Sequence, residues 1–319
     1  MTDAVRIAAH AKINLFLRIL AREHGGVGGG GGTAFHQLET AFALLELADE
    51  LVVRRTAQPG DVTLTVDGPG LDEVPAADNL VVRAAQVVLA ATGRKFGVAI
   101  ELTKRIPVQA GLGGGSSDAA AALHALNALA GGAVPRQELL HFAARLGSDV
   151  PFFASGAAAA LAWGRGERLF RLAALPAAPS LVAVPPTGVA TPDAYRWWDE
   201  HHAAPPSPAR GPVVLDAEAL ASWGSVGRLG GNDFEIPVFG RHSELRMLFE
   251  RLAGTGPLWV RLCGSGSAVA AVYKSPRDRD AAAAALGSKT QRLFTTDTRG
   301  SPAPGPEALG QEPLGNGTD

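Results

Sequence analysis

Apolar and polar side chains alternate along several short segments of the chain, and a period of two residues predicts β-strands. The longest such segment runs from residue 6 to 20, where Ile13, Leu15 and Leu17 alternate with other side chains. Shorter segments predict strands at 50–55, 61–66, 97–103, 181–184, 259–262 and 268–273. The chain is therefore expected to contain β-sheet structure along most of its length.

Stretches rich in Ala and Leu separate these strands, with the spacing of amphipathic or buried helices. They predict helices at 79–91, 117–130, 137–146, 215–223, 243–252 and 276–286. Gly93 follows the first helix, and Gly131 and Gly132 follow the second, as is typical of helix C-termini. Because strands and helices alternate irregularly, their order favours an α+β fold over a doubly wound parallel sheet.

Three segments rich in Gly or Pro interrupt this pattern. Residues 24–33 contain a run of glycines, which favours a surface loop because glycine has no side chain to pack. Residues 201–212 are rich in Pro and predict a loop or linker. The tail at 299–319 is rich in Pro and Gly, and it is expected to be disordered.

The composition argues against several classes of partner. With 29 Lys and Arg against 31 Asp and Glu, the net charge is −2, so no general positive field attracts nucleic acid or an anionic membrane. No run of 18 uncharged apolar residues predicts a membrane span, and the N-terminus lacks the plan of a signal peptide. The single cysteine, Cys263, rules out an intrachain disulfide, and the chain is expected to be cytoplasmic.

The segment at 104–129 carries the strongest chemical signal. A predicted strand leads into a run with glycines at 111, 113, 114 and 115, and a predicted helix follows from Ser116 or Ser117. Glycines let backbone N–H groups approach an anion closely, and a helix start adds unpaired donors and a positive dipole end. The two serines can cap the helix or donate hydroxyls to phosphate or its metal. This segment predicts a phosphate-binding loop.

Other glycine-rich motifs fit this segment less well. A Walker P-loop requires a lysine after the last glycine, and a dinucleotide fingerprint requires an acidic residue about twenty positions further on. Neither is present in this sequence. The glycine loop of protein kinases lies in a hairpin and does not precede a long helix. A glycine-rich helix entry without a ligand remains the alternative on this segment alone.

The motif Pro-x-x-x-Gly-Leu-Gly-Gly-Gly-Ser-Ser-Asp at 107–118 resembles the phosphate motif of the GHMP kinase superfamily, named after galactokinase, homoserine kinase, mevalonate kinase and phosphomevalonate kinase. Further segments resemble one branch of it, whose members phosphorylate a cytidyl diphosphate sugar alcohol in the non-mevalonate route to isoprenoids. These segments are AKINLFLRI (11–19), FHQLET (35–40), GSDVPFF (147–153), GNDFE (231–235) and CGSGSAV (263–269). The resemblance covers residues 6 to about 295.

The resemblance implies a two-domain α+β GHMP kinase fold with the active site in the cleft between the domains. A ribosomal S5-like N-terminal domain at 1–170 would bind ATP, and a ferredoxin-like C-terminal domain would occupy 171–298. The expected ligands are ATP, Mg²⁺ and the small-molecule acceptor, and the chain is expected to be a monomer or a homodimer. The expected ATP contacts are Pro107, Val108, Gln109, Ala110, Gly111, Leu112, Gly113, Gly114, Gly115, Ser116 and Ser117, with Ser117 also a candidate metal ligand.

The resemblance also implies the chemical roles of two charged residues. Asp149 would accept the proton of the acceptor hydroxyl, while Lys12 would hold Asp149 and offset charge on the transferred phosphoryl group. From the residues alone, Asp149 could equally cap a helix beginning at Val150, and Lys12 could be a solvated strand residue.

Four residues are expected to bind the acceptor. Phe35 would stack on the cytosine and His36 would hydrogen-bond its edge, while Asn14 and Thr187 would contact the phosphates or the sugar. The family has Asp-Gly-Tyr-His where this sequence has Thr33 to His36, so the phenylalanine keeps a stacking face but lacks the hydroxyl. The glycine-rich insertion at 25–32 lengthens the loop that carries these residues.

Two rival functions are consistent with the same motifs. The first is another GHMP kinase that acts on homoserine, mevalonate or a sugar, although a galactokinase is disfavoured because the N-terminal Gly-Glu-His-x-Asp signature is absent. The second is a non-catalytic regulator that binds a nucleotide on the same scaffold. Such a regulator is expected to have lost Lys12 or Asp149, and both are present.

Overall fold

Two long antiparallel strands, β1 (Ala4–Arg22) and β2 (His36–Thr56), run side by side through the molecule. They belong to a computed structural model that describes residues 2–22, 36–68, 78–202, 216, 218–287 and 291–309. Phe35 and the glycine-rich loop at 25–32 lie outside the described residues.

The first sheet of the described chain contains five further strands. These are β3 (Val62–Asp67), β4 (Gly97–Thr103), β5 (Ala159–Gly164), β6 (Arg168–Arg171) and β11 (Glu307–Ala308). The strand order is β11–β1–β2–β4–β3, and β5 pairs with β2 while β6 pairs with β5. Only the β3–β4 pair is parallel among the pairs described.

Four helices pack against this sheet and against one another. They are α1 (Leu80–Ala91), α2 (Gly114–Leu129), α3 (Arg136–Leu146) and α4 (Val150–Ser155). Their buried side chains form one apolar core with those of the sheet, including Val88, Leu126 and Phe152. The many alanines of α2 allow close packing, and the helix is buried along most of its length.

A second sheet contains β7 (Pro179–Val184), β8 (Trp259–Leu262), β9 (Val269–Val272) and β10 (Arg292–Asp297). Its order is β10–β7–β9–β8, and its described pairs are antiparallel. The C-terminal half also contains α5 (Thr191–His202), α6 (Trp223–Val226), α7 (Glu235–Arg241), α8 (Ser243–Ala253) and α9 (Pro276–Leu286). Leu248 of α8 and Leu286 of α9 are buried in one core with β7 and β9.

Strand β1 connects the cores of the molecule. Its residues at 5, 7 and 9 lie in the core with α1 to α4, and its residues at 11, 13 and 15 lie in a core that also includes β7 and β9. Leu17 and Ile19 pack in the core with α8 and α9. The middle of β1 therefore lies between the two sheets, and this is where Lys12 and Asn14 are found.

The predicted elements largely match those of the structure. The strands at 97–103 and 259–262 and the helix at 276–286 have the predicted bounds, and the two sheets with helices confirm the α+β class. Helix α2 begins at Gly114, which is earlier than the predicted start at Ser117, because Gly113 adopts a left-handed conformation that turns the chain into the helix. The pattern missed β5, β6, β10, α4, α5 and α7.

The prediction of a helix at 215–223 is wrong for the residues of this range that the structure describes. Residues 218–222 form turns and bends, and the short helix α6 begins only after Ser222, whose hydroxyl accepts a hydrogen bond from the backbone N–H of Ser225 at 3.1 Å. A cap at Ser222 fixes an N-terminus there, so the same residue cannot lie inside a helix.

The prediction that the tail is disordered from Arg299 onward is wrong for residues 299–309. Arg299 donates a backbone hydrogen bond to Leu44, and β11 pairs with Val5 and Arg6 of β1. An edge strand with free backbone groups can recruit a short partner whatever its composition, because backbone hydrogen bonds do not depend on side chains. Residues 310–319 lie outside the described chain. The domain boundary at residue 170 falls inside β6 and stays a prediction.

Candidate active site

The glycine-rich loop lies between β4 and α2 and begins the helix without a side-chain cap. Gly111 and Gly113 have φ angles of 77° and 74°, which side chains other than glycine rarely adopt. Gly113 occupies the N-cap position of α2 and, as a glycine, supplies no side chain to accept a hydrogen bond from the first helical amides. These amides are therefore open to an external acceptor at the positive end of the helix dipole.

A cavity of about 520 Å³, here called the loop cavity, is lined by the loop. Its walls include every residue from Pro107 to Ser116, together with apolar side chains such as Leu64 and Leu102. Asn79 caps α1 by accepting a hydrogen bond from the Val81 amide at 2.9 Å, and it also lines this cavity. The loop cavity thus combines an anion-binding end with an apolar end.

Ser117 is the one predicted loop contact that the structure places elsewhere. Its side chain is buried, and it lines a different cavity on the other side of α2. Ser116 lines the loop cavity instead. The reason is the earlier helix start, because consecutive helical residues point about 100° apart, so neighbouring serines face different sides. A role for Ser117 as a metal ligand stays a prediction without support from this geometry.

A buried ionic cluster lies beneath the loop. The Lys104 ammonium donates to Asp49 and, at 2.6 Å, to Asp118. The second oxygen of Asp49 accepts hydrogen bonds from the backbone amides of Arg105 and Ile106, the latter at 2.7 Å. The cluster therefore ties β2, the start of the loop and α2 together.

One ammonium faces two carboxylates in this cluster. Burial raises the pKa of Asp118 to about 7. The positive charge of Lys104 opposes this rise, and the negative charge of Asp49 adds to it. Burial lowers the pKa of Lys104, but the two carboxylates together raise it above its ordinary value. Oδ1 of Asp118 is buried without a hydrogen-bond partner in the described chain, and Asp118 lines the loop cavity.

Lys12 and Asp149 lie together, as the sequence predicted. The Lys12 ammonium is 3.6 Å from an Asp149 oxygen, and the Lys12 side chain is 4% exposed. The backbone amide of Lys12 donates to the carbonyl of Leu112 at 2.9 Å, which fixes β1 against the loop. The interpretation of Lys12 as a solvated residue is therefore wrong.

Asp149 sits at the position before α4, but its side chain makes no capping hydrogen bond. Its backbone is helical, with φ −87° and ψ −17°, rather than extended as in a usual N-cap. Asp149 therefore occupies the N-cap position that the sequence allowed, but its side chain does not cap the helix, and its carboxylate is directed to Lys12.

Asn14 holds several parts of the site in place. Its Oδ1 accepts hydrogen bonds from the Lys12 ammonium at 2.8 Å and from the Gly264 amide at 3.0 Å, while its Nδ2 donates to the Thr40 hydroxyl at 2.9 Å. Asn14 is 1% exposed. Its amide therefore positions Lys12 and the turn at 263–267, in addition to lining the cavity described next.

A second cavity, here called the central cavity, has a volume of about 850 Å³. It is lined by Lys12, Asn14, His36 and Asp149, which are four of the residues singled out in the sequence. Gly111 and Gly113 line both the central cavity and the loop cavity. The two cavities therefore meet at the glycine loop, beside the Lys12–Asp149 pair.

His36 lies among aromatic side chains of α5 that the sequence did not single out. Its ring stacks on Tyr195, with centroids 4.6 Å apart and planes inclined by 16°, and meets Trp198 edge-on. Its Nε2 is 2.7 Å from Oδ1 of Asp199. Burial, and next the charge of Asp149, raise the pKa of Tyr195 to about 12, so its hydroxyl stays protonated at neutral pH.

The structure does not bring Thr187 to the central cavity. Its hydroxyl donates to Glu244 at 3.2 Å, and it lines a separate cavity. Thr191, at the start of α5, lines the central cavity and shares a hydrogen bond of 2.9 Å with Ser265. Both threonines lie within eight residues of the end of β7, Thr187 in the irregular connection and Thr191 at the first position of α5, and the sequence pattern did not predict this helix.

The turn at 263–267 packs against the loop. The Ala268 amide donates to the Ala110 carbonyl at 3.2 Å, and a Cβ placed on Gly111 would lie 1.8 Å from the Cys263 carbonyl oxygen. Cys263 is fully buried, and burial raises the pKa of its thiol to about 12. Cys263 is therefore a buried structural residue.

The described chain contains no group of three or more His, Cys, Asp or Glu side chains suited to hold a metal ion. Among the described helices, none combines the length and the apolar character that a membrane crossing requires.

Comparison with known proteins identifies the family. The model of the GHMP kinases N terminal domain matches residues 79–161, and that of GHMP kinases C terminal matches residues 216–291. A 4-diphosphocytidyl-2-C-methyl-D-erythritol kinase of Solibacter usitatus is 40% identical over 283 residues, covering 88% of this chain and 84% of that protein. One of Pelotomaculum thermopropionicum is 38% identical over 267 residues, covering 82% and 86%.

A solved structure has the same fold. The crystal structure of a 4-(cytidine 5'-diphospho)-2C-methyl-D-erythritol kinase aligns with a TM-score of 0.71 and 38% identity, over 92% of this chain and 98% of that one. The chain belongs to the 4-diphosphocytidyl-2-C-methyl-D-erythritol kinase family of the GHMP kinases.

Proposed function

We propose that this protein transfers the γ-phosphoryl group of ATP to the 2-hydroxyl of 4-diphosphocytidyl-2-C-methyl-D-erythritol, giving the 2-phosphate and ADP in the methylerythritol phosphate pathway. The observation that carries the proposal is the meeting of two cavities at Gly111 and Gly113. One cavity has an anion-binding loop, and the other contains a lysine–aspartate pair. A phosphoryl donor and an alcohol acceptor therefore meet end to end. We expect this reaction in the cytoplasm.

The loop cavity is the proposed ATP site. The uncapped amides at the start of α2 would receive the phosphates, and the apolar side chains at the other end of the cavity would contact the base. Because Gly111 and Gly113 border the central cavity, the end of the triphosphate nearest to them points to the acceptor.

In the proposed mechanism, Asp149 accepts the proton of the acceptor hydroxyl as the oxygen attacks the γ-phosphorus, and the bond to the β-phosphate oxygen breaks to release ADP. Lys12 holds the Asp149 carboxylate at 3.6 Å and stabilises the charge on the transferred group. Asn14 keeps the Lys12 ammonium in place through a hydrogen bond of 2.8 Å. Phosphoryl transfer depends mainly on positioning and charge neutralisation, which these groups supply.

His36 is the proposed contact for the edge of the cytosine. Its stacking on Tyr195 and its bond to Asp199 fix the orientation of the imidazole, which a reader of a base edge requires. Phe35, the residue before His36 in the chain, is proposed to stack on the cytosine. Thr191 replaces Thr187 as the proposed polar contact from the segment after β7.

Magnesium is proposed to accompany ATP. The described residues offer no cluster of carboxylates for a dedicated site, which fits an ion held mainly by phosphate oxygens. Ser116 is the residue of the serine pair whose position in the loop cavity suits a ligand of the complex. When bound, the ion would offset the negative charge of the phosphates.

The reaction is tested by measuring ATP consumption with the cytidyl substrate, homoserine, mevalonate and galactose in separate assays. Turnover with the cytidyl substrate alone is expected, and turnover only with another acceptor would move the protein to a sibling activity. Asp149→Asn is expected to lower turnover by roughly 10²- to 10⁴-fold. The control is Asp280→Asn, because Asp280 lies on α9 outside both cavities. Near-normal turnover in a folded Asp149→Asn variant would reject the proposed base.

A further inference from the structure

A third cavity, here called the rear cavity, lies on the other side of α2 from the loop cavity and takes no part in the proposed reaction. Its volume is about 270 Å³. Side chains of β1, α2, α3 and α4 form its walls, and residues 303–305 lie along one edge. The wall is largely apolar, with contributions from Ile7, Leu44, Leu139 and Phe153. A cavity with such walls favours an apolar ligand body.

Two histidines add polar but uncharged groups to this wall. Burial lowers the pKa of both His10 and His124, so both rings are neutral at neutral pH. His124 bonds to the Ala154 carbonyl at 2.9 Å, and Nδ1 of His10 bonds to the Leu45 carbonyl at 3.0 Å. His10 is 6% exposed, and its Nε2 is buried without a hydrogen-bond partner in the described chain. A buried polar atom without a partner is uncommon in a protein and indicates a place for a ligand or water.

Two guanidinium groups without carboxylate partners in the described chain meet at the carbonyl of Ser155, a residue that lines the rear cavity. Arg136 lines the cavity as well, whereas Arg171 is linked to it through the Ser155 carbonyl. Arg136 and Arg171 both donate to the Ser155 carbonyl, Arg136 at 3.0 Å. Burial and the nearby Arg136 lower the pKa of Arg171, which reflects the closeness of the two cations. Two adjacent guanidiniums repel each other, and a phosphate or carboxylate between them would relieve this repulsion and accept their remaining N–H donors.

We propose that the rear cavity binds a small amphipathic anion. Its apolar body would lie against Ile7, Leu139 and Phe153, and its phosphate or carboxylate group would contact Arg136 and Arg171. This site is distinct from the two cavities of the proposed reaction, because α2 separates it from the loop cavity. Phe153 lines the rear cavity and also lies against the glycine loop, since a Cβ placed on Gly113 would lie 2.8 Å from Cζ of Phe153.

The proposal is tested by titrating the full chain with octyl phosphate below its micelle concentration in a calorimeter. One equivalent is expected to bind saturably. Octanol, which has the same chain but no charge, is expected to bind about tenfold or more weakly, because it lacks the charge-assisted hydrogen bonds. Octanoate, run in parallel, shows which anionic group binds more tightly.

Two variants locate the binding. Arg136→Ala with Arg171→Ala removes both exposed cations, and Ala8→Trp fills the cavity from β1. Each is expected to weaken octyl phosphate binding by about tenfold or more. The matched control, Arg145→Ala with Arg168→Ala, removes exposed arginines of the same helix and strand that lie away from the cavity, and it is expected to change nothing.

Three results would overturn the proposal. They are the absence of saturable binding, octanol binding as tightly as octyl phosphate, and unchanged binding in the Arg136→Ala, Arg171→Ala variant. Competitive displacement of octyl phosphate by ADP would place the probe in the loop cavity and would also overturn it. Because Arg136 and Arg171 are exposed, their double variant decides the question even if Ala8→Trp fails to fold.

Discussion

Replacing Lys104 by Met tests the buried ionic cluster beneath the glycine loop. The side chains of Lys104, Asp49 and Asp118 are 6%, 0% and 4% exposed, so solvent cannot replace the lost ammonium. Methionine has a similar length, and the substitution therefore removes the charge with little change in shape. Leaving a buried charge without its partner costs about 3–5 kcal/mol. Two carboxylates depend on this ammonium, so we expect a loss in the upper part of that range. Such a loss is a large share of the free energy of unfolding of a typical protein, which is about 5–15 kcal/mol.

The loss of stability caused by Lys104→Met should depend on pH in a defined direction. The pKa of Asp118 is raised to about 7 in the folded protein, above its ordinary value of 3.8. The folded state therefore binds a proton that the unfolded state releases, and stability falls as the pH rises from about 4 through 7. Without Lys104, the pKa of Asp118 rises further. The destabilisation by Lys104→Met is consequently expected to be larger at pH 8 than at pH 5.5.

The assay is urea unfolding followed by tryptophan fluorescence at both pH values. Lys104→Met is combined with Asp118→Asn in a double-mutant cycle, and the double variant is expected to be more stable than the sum of the single effects by about 1–3 kcal/mol. Lys274→Met, at an exposed lysine, is the control and should change stability by less than about 0.5 kcal/mol. A loss below about 1 kcal/mol at pH 8, or strict additivity, would refute the reasoning.

Three further predictions concern the loop, the central cavity and the same cluster. Gly111→Ala is expected to lower stability by at least about 2 kcal/mol and to reduce turnover, because the φ of Gly111 is left-handed and the added Cβ would meet the Cys263 carbonyl. The control is Gly115→Ala, whose added Cβ would have nothing within 4 Å and which should leave urea unfolding unchanged. Equal unfolding midpoints would contradict this. In steady-state kinetics, Thr191→Val should raise KM for the cytidyl substrate, whereas Thr187→Val should not. A higher KM in Thr187→Val but not in Thr191→Val would restore Thr187 as the contact for the acceptor. Asp118→Asn should abolish most of the fall in stability between pH 4 and 7, as measured by urea unfolding, and an unchanged slope would disprove the raised pKa.

Local patterns in the sequence were sufficient where a single segment carries the information. The alternation of apolar residues predicted β4 with its observed bounds, and the short apolar segment at 259–262 predicted β8 with its observed bounds. The glycines and the helix that follows them predicted a glycine-rich turn into a helix, which the structure has at Gly113 and Gly114, since a turn and a helix start form within one stretch of chain. The Lys12–Asp149 pair was predicted from motifs, and the distance of 3.6 Å agrees with it.

Tertiary structure decided the features that depend on distant segments. The sequence alone predicted disorder after Arg299, but β1 offered an edge with which β11 pairs. The sequence alone also placed Thr187 rather than Thr191 at the acceptor, because helix α5, which begins at Thr191, was not predicted and the direction of each side chain depends on what packs against it.

The buried cluster of Lys104, Asp49 and Asp118 shows the same limit most clearly. Asp49 and Asp118 lie 55 and 14 positions from Lys104 in the chain, and nothing in the local pattern distinguishes the three from surface charges. Only the packing of β2, the loop and α2 removes them from water and makes their charges depend on one another. The sequence by itself thus determined many of the elements and most of the chemical groups of the site, whereas the folded chain decided which groups meet and how strongly they interact.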